Sequence, residues 1–317
     1  MKIGVIMDPI GSINIKKDST FEMIWQAQQL GWQVEYFEIN DLSIENGVAL
    51  GQSKTLTVFQ DPENWYKLSP PSQIELGKLD AILMRKDPPF DMEYVYSTYL
   101  LELAEQQGAL IVNSPQALRD CNEKAYCAWF PDVCPETLIS RDADQFRQFL
   151  NTHQDIILKP LDGMGGASIF RVQLNSANTS VILETLTQHG QKFAMAQRYL
   201  PEIADGDKRI LMVDGKAIDY ALARIPAKGE TRGNLAAGGT GVAQPLSESD
   251  HKIAQRVGPE LRKRNILFAG LDVIGNCLTE INITSPTCIK EINAQYNTNI
   301  ALDLLMAIQM KVKQSES

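Results

Sequence analysis

Apolar and polar positions along this chain repeat with two periods, and the switches between them mark its elements. Apolar or alternating runs over 2–7, 33–39, 79–84 and 109–112 predict strands. Between the first two, Phe21, Ile24 and Trp25 recur at helical spacing. A capping box over 19–22 opens that helix and Gly31 closes it. A second helix over 93–107 stops at Gly108, and a third starts at Ser114 with Pro115 in its first turn. Strands separated by helices predict a mainly parallel sheet with helices on its faces, an α/β arrangement.

After about residue 122 the pattern changes. A strand over 155–159 runs into a glycine-rich turn, 162–166, and a strand over 169–172 returns from it. A helix over 179–188 and a strand over 193–199 follow. Two hairpins are expected. One joins 209–213 to 216–223 through Asp214 and Gly215, and the other joins 268–274 to 277–283 through Gly275 and Asn276. The stretch 225–241 has many glycines and little periodicity, which predicts a long loop. Helices near 250–263 and over 300–312 complete the chain.

Composition narrows the class. A chain of 317 residues is long for a single core, so two or three domains are expected. The net charge of −9 argues against general binding to nucleic acid or anionic membrane. No apolar run approaches the roughly 20 residues of a membrane span. The first apolar run ends at Asp8 and Pro9, unlike a signal peptide, so a cytoplasmic protein is expected. The five cysteines contain no C-x-x-C pair and the three histidines are scattered, which points to reduced thiols and no zinc site.

Four groups of residues carry candidate chemistry. The first is Lys159 at a strand end beside Gly163, Gly165 and Gly166. Glycines let backbone N–H groups approach an anion, and the lysine adds a charge. It is neither a Walker loop nor a dinucleotide fingerprint. On patterning alone it is equally a tight hairpin. The second is Asp272 with Glu280 and Asn282 across the last hairpin. Side chains alternate along a strand, so Glu280 and Asn282 share a face. Two carboxylates and an amide oxygen suit Mg²⁺, and Mn²⁺ is the expected substitute; a solvent-facing polar strand side is the plainer reading. The third is the loop 225–240, containing Arg232, which reads either as a lid excluding water or as a surface linker. The fourth is the basic set Lys124, Arg209 and Arg224, individually ordinary but together suited to phosphoryl transfer.

The order of these groups resembles the ATP-grasp fold. Segments 7–9 (MDP), 14–18 (NIKKD), 84–90 (MRKDPPF), 118–124 (LRDCNEK), 230–239 (ETRGNLAAGG) and 279–287 (TEINITSPT) more closely resemble the prokaryotic glutathione synthetases. The resemblance covers nearly the whole chain. It implies a Rossmann-like N-terminal substrate-binding domain over 1–122, a central lid subdomain over 123–200, and a C-terminal α+β subdomain over 201–317. It implies ATP-dependent joining of γ-glutamylcysteine to glycine through an acyl phosphate.

By the same resemblance Lys124, Lys159, Gly165 and Gly166 hold ATP phosphates. Gln197, Tyr199 and Leu200 line the adenine pocket, and Asp207 reaches the ribose. Asp272, Glu280 and Asn282 bind Mg²⁺. Arg209, Arg224 and Arg232 stabilise the transferred phosphoryl group and the tetrahedral intermediate. Asp8, Asn14, Arg85, Ser285 and Thr287 shape the peptide and glycine sites. A homotetramer is implied. Thr240 stands where the resemblance leads one to expect a basic residue. Two other readings stay open: an ATP-grasp ligase with a different acceptor, and a non-catalytic nucleotide-binding regulator on the same fold.

Overall fold

The computed structural model describes residues 1–163, 165–227, 233, 235 and 238–315. The N-terminal third contains β1 (Lys2–Ile6), α1 (Ser19–Gln29), β2 (Gln33–Phe37), β3 (Leu42–Glu45), β4 (Val48–Val58), β5 (Tyr66–Leu68), β6 (Ser72–Glu75), β7 (Ala81–Met84), α2 (Met92–Gln106), β8 (Leu110–Val112) and α3 (Pro115–Asp120). Strands β2, β1, β7 and β8 lie side by side and parallel, as the helix-separated runs predict. Both faces of β1 are covered: Ile3 and Val5 enter one core and Ile6 the other.

The sheet is less parallel than the sequence suggests. The long strand β4 pairs antiparallel with β2 and gathers β3, β5 and β6 on its other partners. The β3–β4 hairpin turns at Asn46 and Gly47, both with positive φ (49° and 81°), the asparagine–glycine signature of a primed turn. The cap of α1 also differs from expectation. Asp18, not Ser19, accepts the Phe21 N–H, at 2.6 Å. The Ser19 hydroxyl is turned away and accepts the Ile289 N–H at 3.3 Å.

The central part contains β9 (Thr137–Ser140), α4 (Ala143–His153), β10 (Asp155–Pro160), β11 (Phe170–Gln173), α5 (Thr179–Thr187) and β12 (Ala194–Arg198). Its antiparallel sheet runs β11-β10-β12-β9. Ile156, Leu158, Val172 and Ala196 meet Phe146 and Leu183 in a core belonging to this unit alone. The alternation along β10 then sends Ile157 and Lys159 to the opposite face.

The remainder contains β13 (Asp207–Val213), β14 (Lys216–Ile225), β15 (Thr240–Pro245), α6 (Glu248–Lys263), β16 (Phe268–Ile274), β17 (Cys277–Asn282), α7 (Ile289–Gln295) and α8 (Ile300–Ser315). These strands form an antiparallel sheet in the order β15-β14-β13-β16-β17. Ser247 and Asp250 cap α6 reciprocally, and Asp250 also receives the buried Lys208 ammonium from β13. This sheet shares its cores with the N-terminal one. One core joins Val5 and Phe21 to Leu211, Ile289 and Leu304, and another joins Ile82 and Leu101 to Leu271 and Ile281. Asn113, following β8, ties the two together. Its amide nitrogen donates to the carbonyls of Phe268 (2.7 Å) and Ile283 (2.6 Å), and its oxygen accepts from Leu267 and Phe268 N–H (2.8 and 2.9 Å). Among the described residues no helix is long and apolar enough to cross a membrane.

Candidate active site

A cleft of about 1040 Å³ opens between the central and C-terminal sheets. The polar face of β10 supplies Lys159, and β12 supplies Gln197, with Tyr199 and Leu200 just beyond it. The glycine-rich turn contributes Gly165, whose φ of 64° few side chains tolerate, and Gly166. Asp207, Arg209, Asp272, Glu280 and Asn282 come from the other wall.

That wall is a row of charge set by strand register. Arg224 pairs with Asp207 across β14 and β13, Arg209 with Asp272 across β13 and β16, and Asp272 with Glu280 across β16 and β17. Arg209 grips Asp272 through two nitrogens, at 2.5 and 3.0 Å. Arg224 reaches Asp207 at 2.5 Å and Asp272 at 3.0 Å. Gly270 makes room for this, since a β-carbon there would lie 2.7 Å from Arg209 Cδ. Opposite, Lys159 Nζ lies 3.1 Å from Glu280 Oε1, and Lys124 Nζ lies 3.9 Å from it while donating to the Gly163 carbonyl at 2.6 Å.

Burial and pairing pull these groups apart in acidity. Burial alone raises Asp272 and Glu280, but Arg209 and Arg224 hold Asp272 well below the usual carboxylate range, and Lys159 and Lys124 hold Glu280 below it. Asp207 goes the other way. Burial pushes it up to about 7, with Arg224 opposing the rise and the Asp272 and Glu280 charges adding to it; among the described residues Asp207 Oδ1 has no hydrogen-bond partner. The cations therefore have acidic stand-ins where a polyphosphate would replace them.

The donor set suits Mg²⁺. Asp272 and Glu280 offer carboxylate oxygens from paired positions, and Asn282 spends its nitrogen on the Gly270 carbonyl at 3.4 Å, leaving its oxygen as a donor. Mg²⁺ takes one or two carboxylates and completes its shell with phosphate oxygens and water.

A second cavity adjoins the first, sharing Glu123, Gly165, Arg209 and Asn282 with it. Ser285 and Thr287 line it, with Asp87, Thr284 and Cys288. The other candidates lie differently. Arg85 is buried and holds the turn beneath this cavity, donating to the Pro286 carbonyl (2.9 Å) and Thr20 Oγ1 (3.1 Å). Asp8 pairs with Lys86 at 2.9 Å and accepts the Asp87 N–H at 3.0 Å. Asn14 is exposed and accepts the Lys16 N–H at 3.1 Å, a local turn bond. Arg198 pairs with Glu136 at 2.6 Å on the surface. Arg232 and half of the expected lid loop lie outside the described residues. Sequence reading passed over Glu123 and Asp87, although both stand inside motifs quoted for other residues. It had no signal for Asn113, whose partners are distant in the chain.

Comparison with known proteins identifies the family. The family model for the prokaryotic glutathione synthetase N-terminal domain matches residues 1–119, and the model for the ATP-grasp domain of the same family matches 123–297. Glutathione synthetase of Vibrio parahaemolyticus is 59% identical over 313 residues, covering 99% of each chain. That of Escherichia coli O6:H1 is 56% identical over 314 residues, again covering 99% of each. Among solved structures, D-cycloserine synthetase DcsG superposes with a TM-score of 0.67 at 13% identity, covering 98% of this chain and 99% of its own. The ATP-grasp ligase PsnB, bound to a phosphomimetic precursor variant, Mg and ADP, gives 0.66 at 16%, covering 98% of each; these distant likenesses show the fold alone. The chain belongs to the prokaryotic glutathione synthetase family and is an ATP-dependent ligase of the ATP-grasp fold.

Proposed function

We propose that this ligase joins the cysteinyl carboxylate of γ-glutamylcysteine to the amine of glycine through an acyl phosphate, releasing ADP and phosphate. The observation that carries the reading is the charge row across β14, β13, β16 and β17, facing two buried lysines. Lys124 and Lys159, with the backbone at Gly165 and Gly166, receive the ATP phosphates. Gln197, Tyr199 and Leu200 take the base, and the Asp207 oxygen that has no partner among the described residues suits a ribose hydroxyl.

Asp272, Glu280 and Asn282 would hold Mg²⁺, which neutralises phosphate charge when bound. The hard-oxygen set equally supports Mn²⁺ as a substitute. Arg209 and Arg224 are freed from Asp272 to stabilise the transferred phosphoryl group and then the tetrahedral intermediate. Arg232 is assigned the same work by family resemblance. Ser285 and Thr287 face the peptide in the second cavity, while Asp8 and Arg85 shape it through Asp87 and Pro286. Asn14 lines neither cavity and is left out of the site. The division at residues 122 and 200 is the reading by family resemblance, and a separate core lying within its central piece supports it. The five free cysteines support a reducing, cytoplasmic setting, and family resemblance supports a homotetramer.

The test is ADP release with γ-glutamylcysteine, with glycine, and with both. Steady turnover is expected only with the pair, with glutathione as the product. No stimulation by the pair over either substrate alone contradicts the reading.

A further inference from the structure

The acids of the two cavities fall into two kinds. Asp207, Asp272 and Glu280 each lie against an arginine or lysine. Glu123 and Asp87, among the described residues, are held by neutral hydroxyls. Thr284 Oγ1 donates to Glu123 Oε1 at 2.7 Å, and Ser285 Oγ donates to Asp87 Oδ1 at 2.5 Å. Both acids line the second cavity, so it presents two carboxylates oriented by hydroxyls, neither of them within ion-pair distance of a cation among the described residues.

The substrates proposed above carry two ammonium groups, one on the γ-glutamyl end of the peptide and one on glycine. Position decides which acid meets which. Glu123 borders the nucleotide cleft as well as the second cavity. Its own carbonyl accepts the Ile281 N–H at 2.8 Å, which pins it between Glu280 and Asn282 of β17. That boundary is where the γ-phosphate and the reacting carboxylate must meet, and the attacking amine must lie within contact of both. Asp87 lines only the second cavity and is exposed at its mouth, where the far end of the peptide would lie.

We propose that Glu123 docks the ammonium group of the acceptor amino acid beside the acyl phosphate, and that Asp87 takes the ammonium of the γ-glutamyl group. The assignment rests on the reaction proposed above. Burial raises the Glu123 carboxyl, against the pull of Thr284 and Lys124. A cationic ligand would relieve that burial cost.

Exchanging the charge tests it. Glu123→Gln is expected to raise the KM for glycine about 10- to 100-fold, the range for losing one charge-assisted hydrogen bond. The KM for γ-glutamylcysteine should stay near wild type. Positional isotope exchange within ATP, run with peptide and no glycine, should persist, because the acyl phosphate forms before the acceptor is needed. Hydroxylamine, which is largely uncharged at neutral pH, should still trap that intermediate as a hydroxamate.

Asp87→Asn should do the converse, raising the peptide KM and sparing the glycine KM. Thr284→Val, which only removes the orienting hydroxyl, should raise the glycine KM less than Glu123→Gln. If Glu123→Gln does not fold, Glu123→Asp keeps the charge on a shorter side chain, and the same selective rise is expected. Equal rises for both substrates, or isotope exchange lost together with glycine turnover, would mean that Glu123 merely holds the turn, and the docking assignment falls. Wild-type protein that shows no peptide-dependent exchange overturns the reaction itself. Normal wild-type exchange with unselective variants overturns only the roles of Glu123 and Asp87.

Discussion

The two walls of the main cleft are built differently. The wall carrying Lys159 and Gln197 belongs to a four-stranded sheet with a private core of Phe146, Ile156, Leu158 and their neighbours. The wall carrying Arg209, Asp272 and Glu280 belongs to a sheet whose cores are continuous with the N-terminal third. Charged groups that must keep a fixed spacing therefore stand on the anchored wall. The glycine-rich turn and the strand carrying Gln197 stand on the wall whose core is not shared with another unit. Local stability differences of this kind accompany ligand-gated motion.

The largest expected effect comes from breaking the anchor. Asn113→Ala strands several buried backbone groups and should cost about 3 kcal/mol or more. Urea unfolding should show a lower midpoint with an unchanged slope. A midpoint like wild type would mean that the Asn113 bonds do not join the sheets.

A substitution in the private core should act locally. Leu158→Ala should cost about 2–4 kcal/mol. Hydrogen exchange should quicken in β10 and β12 while β13 and β16 keep their protection. Uniform loss of protection would show that the central sheet has no independence.

The anchored wall also carries a pH signature. Asp272 and Glu280 are depressed, so their contribution is present above the unfolded carboxylate value and is lost as pH falls through their lower native values. Asp207 has the opposite sign. Its native value near 7 exceeds the unfolded 3.8, so the folded state holds an extra proton in that window and stability falls as pH rises through it. Asp207→Asn removes this dependence. The stability of the variant relative to wild type should climb from pH 4 to 7 by at most about 1.4 kcal/mol per unit. A flat difference contradicts the assignment.

The smallest effect is expected at the rim. Lys86 and Asp8 form a half-exposed pair, so Lys86→Ala should change stability by about 1 kcal/mol or less.

Much of this contrast was readable in the sequence. The apolar runs over 2–7 and 79–84 announced buried parallel strands, and Asp214-Gly215 and Gly275-Asn276 announced the hairpins that carry the charge row. Helix α4 was missed although Asp142 caps it and Ala143, Phe146, Phe149 and Leu150 recur at helical spacing. The β3–β4 hairpin was missed although Asn46-Gly47 is its turn signal.

Within the site, residue type and spacing suggested that Asp272, Glu280 and Asn282 converge, because a hairpin places them by local rules. The role of Arg85 was not legible in that way. A buried arginine bonded to the Pro286 carbonyl is a tertiary fact, set by two segments that lie far apart in the chain.

The central claim is that the cleft activates a carboxylate by phosphorylating it. The most direct measurement labels the cysteinyl carboxylate of γ-glutamylcysteine with ¹⁸O, adds ATP and glycine, and weighs the phosphate released. An acyl phosphate transfers one labelled oxygen to phosphate for each glutathione formed. Phosphate without label, released alongside glutathione, would show that the carboxylate never carried the phosphoryl group.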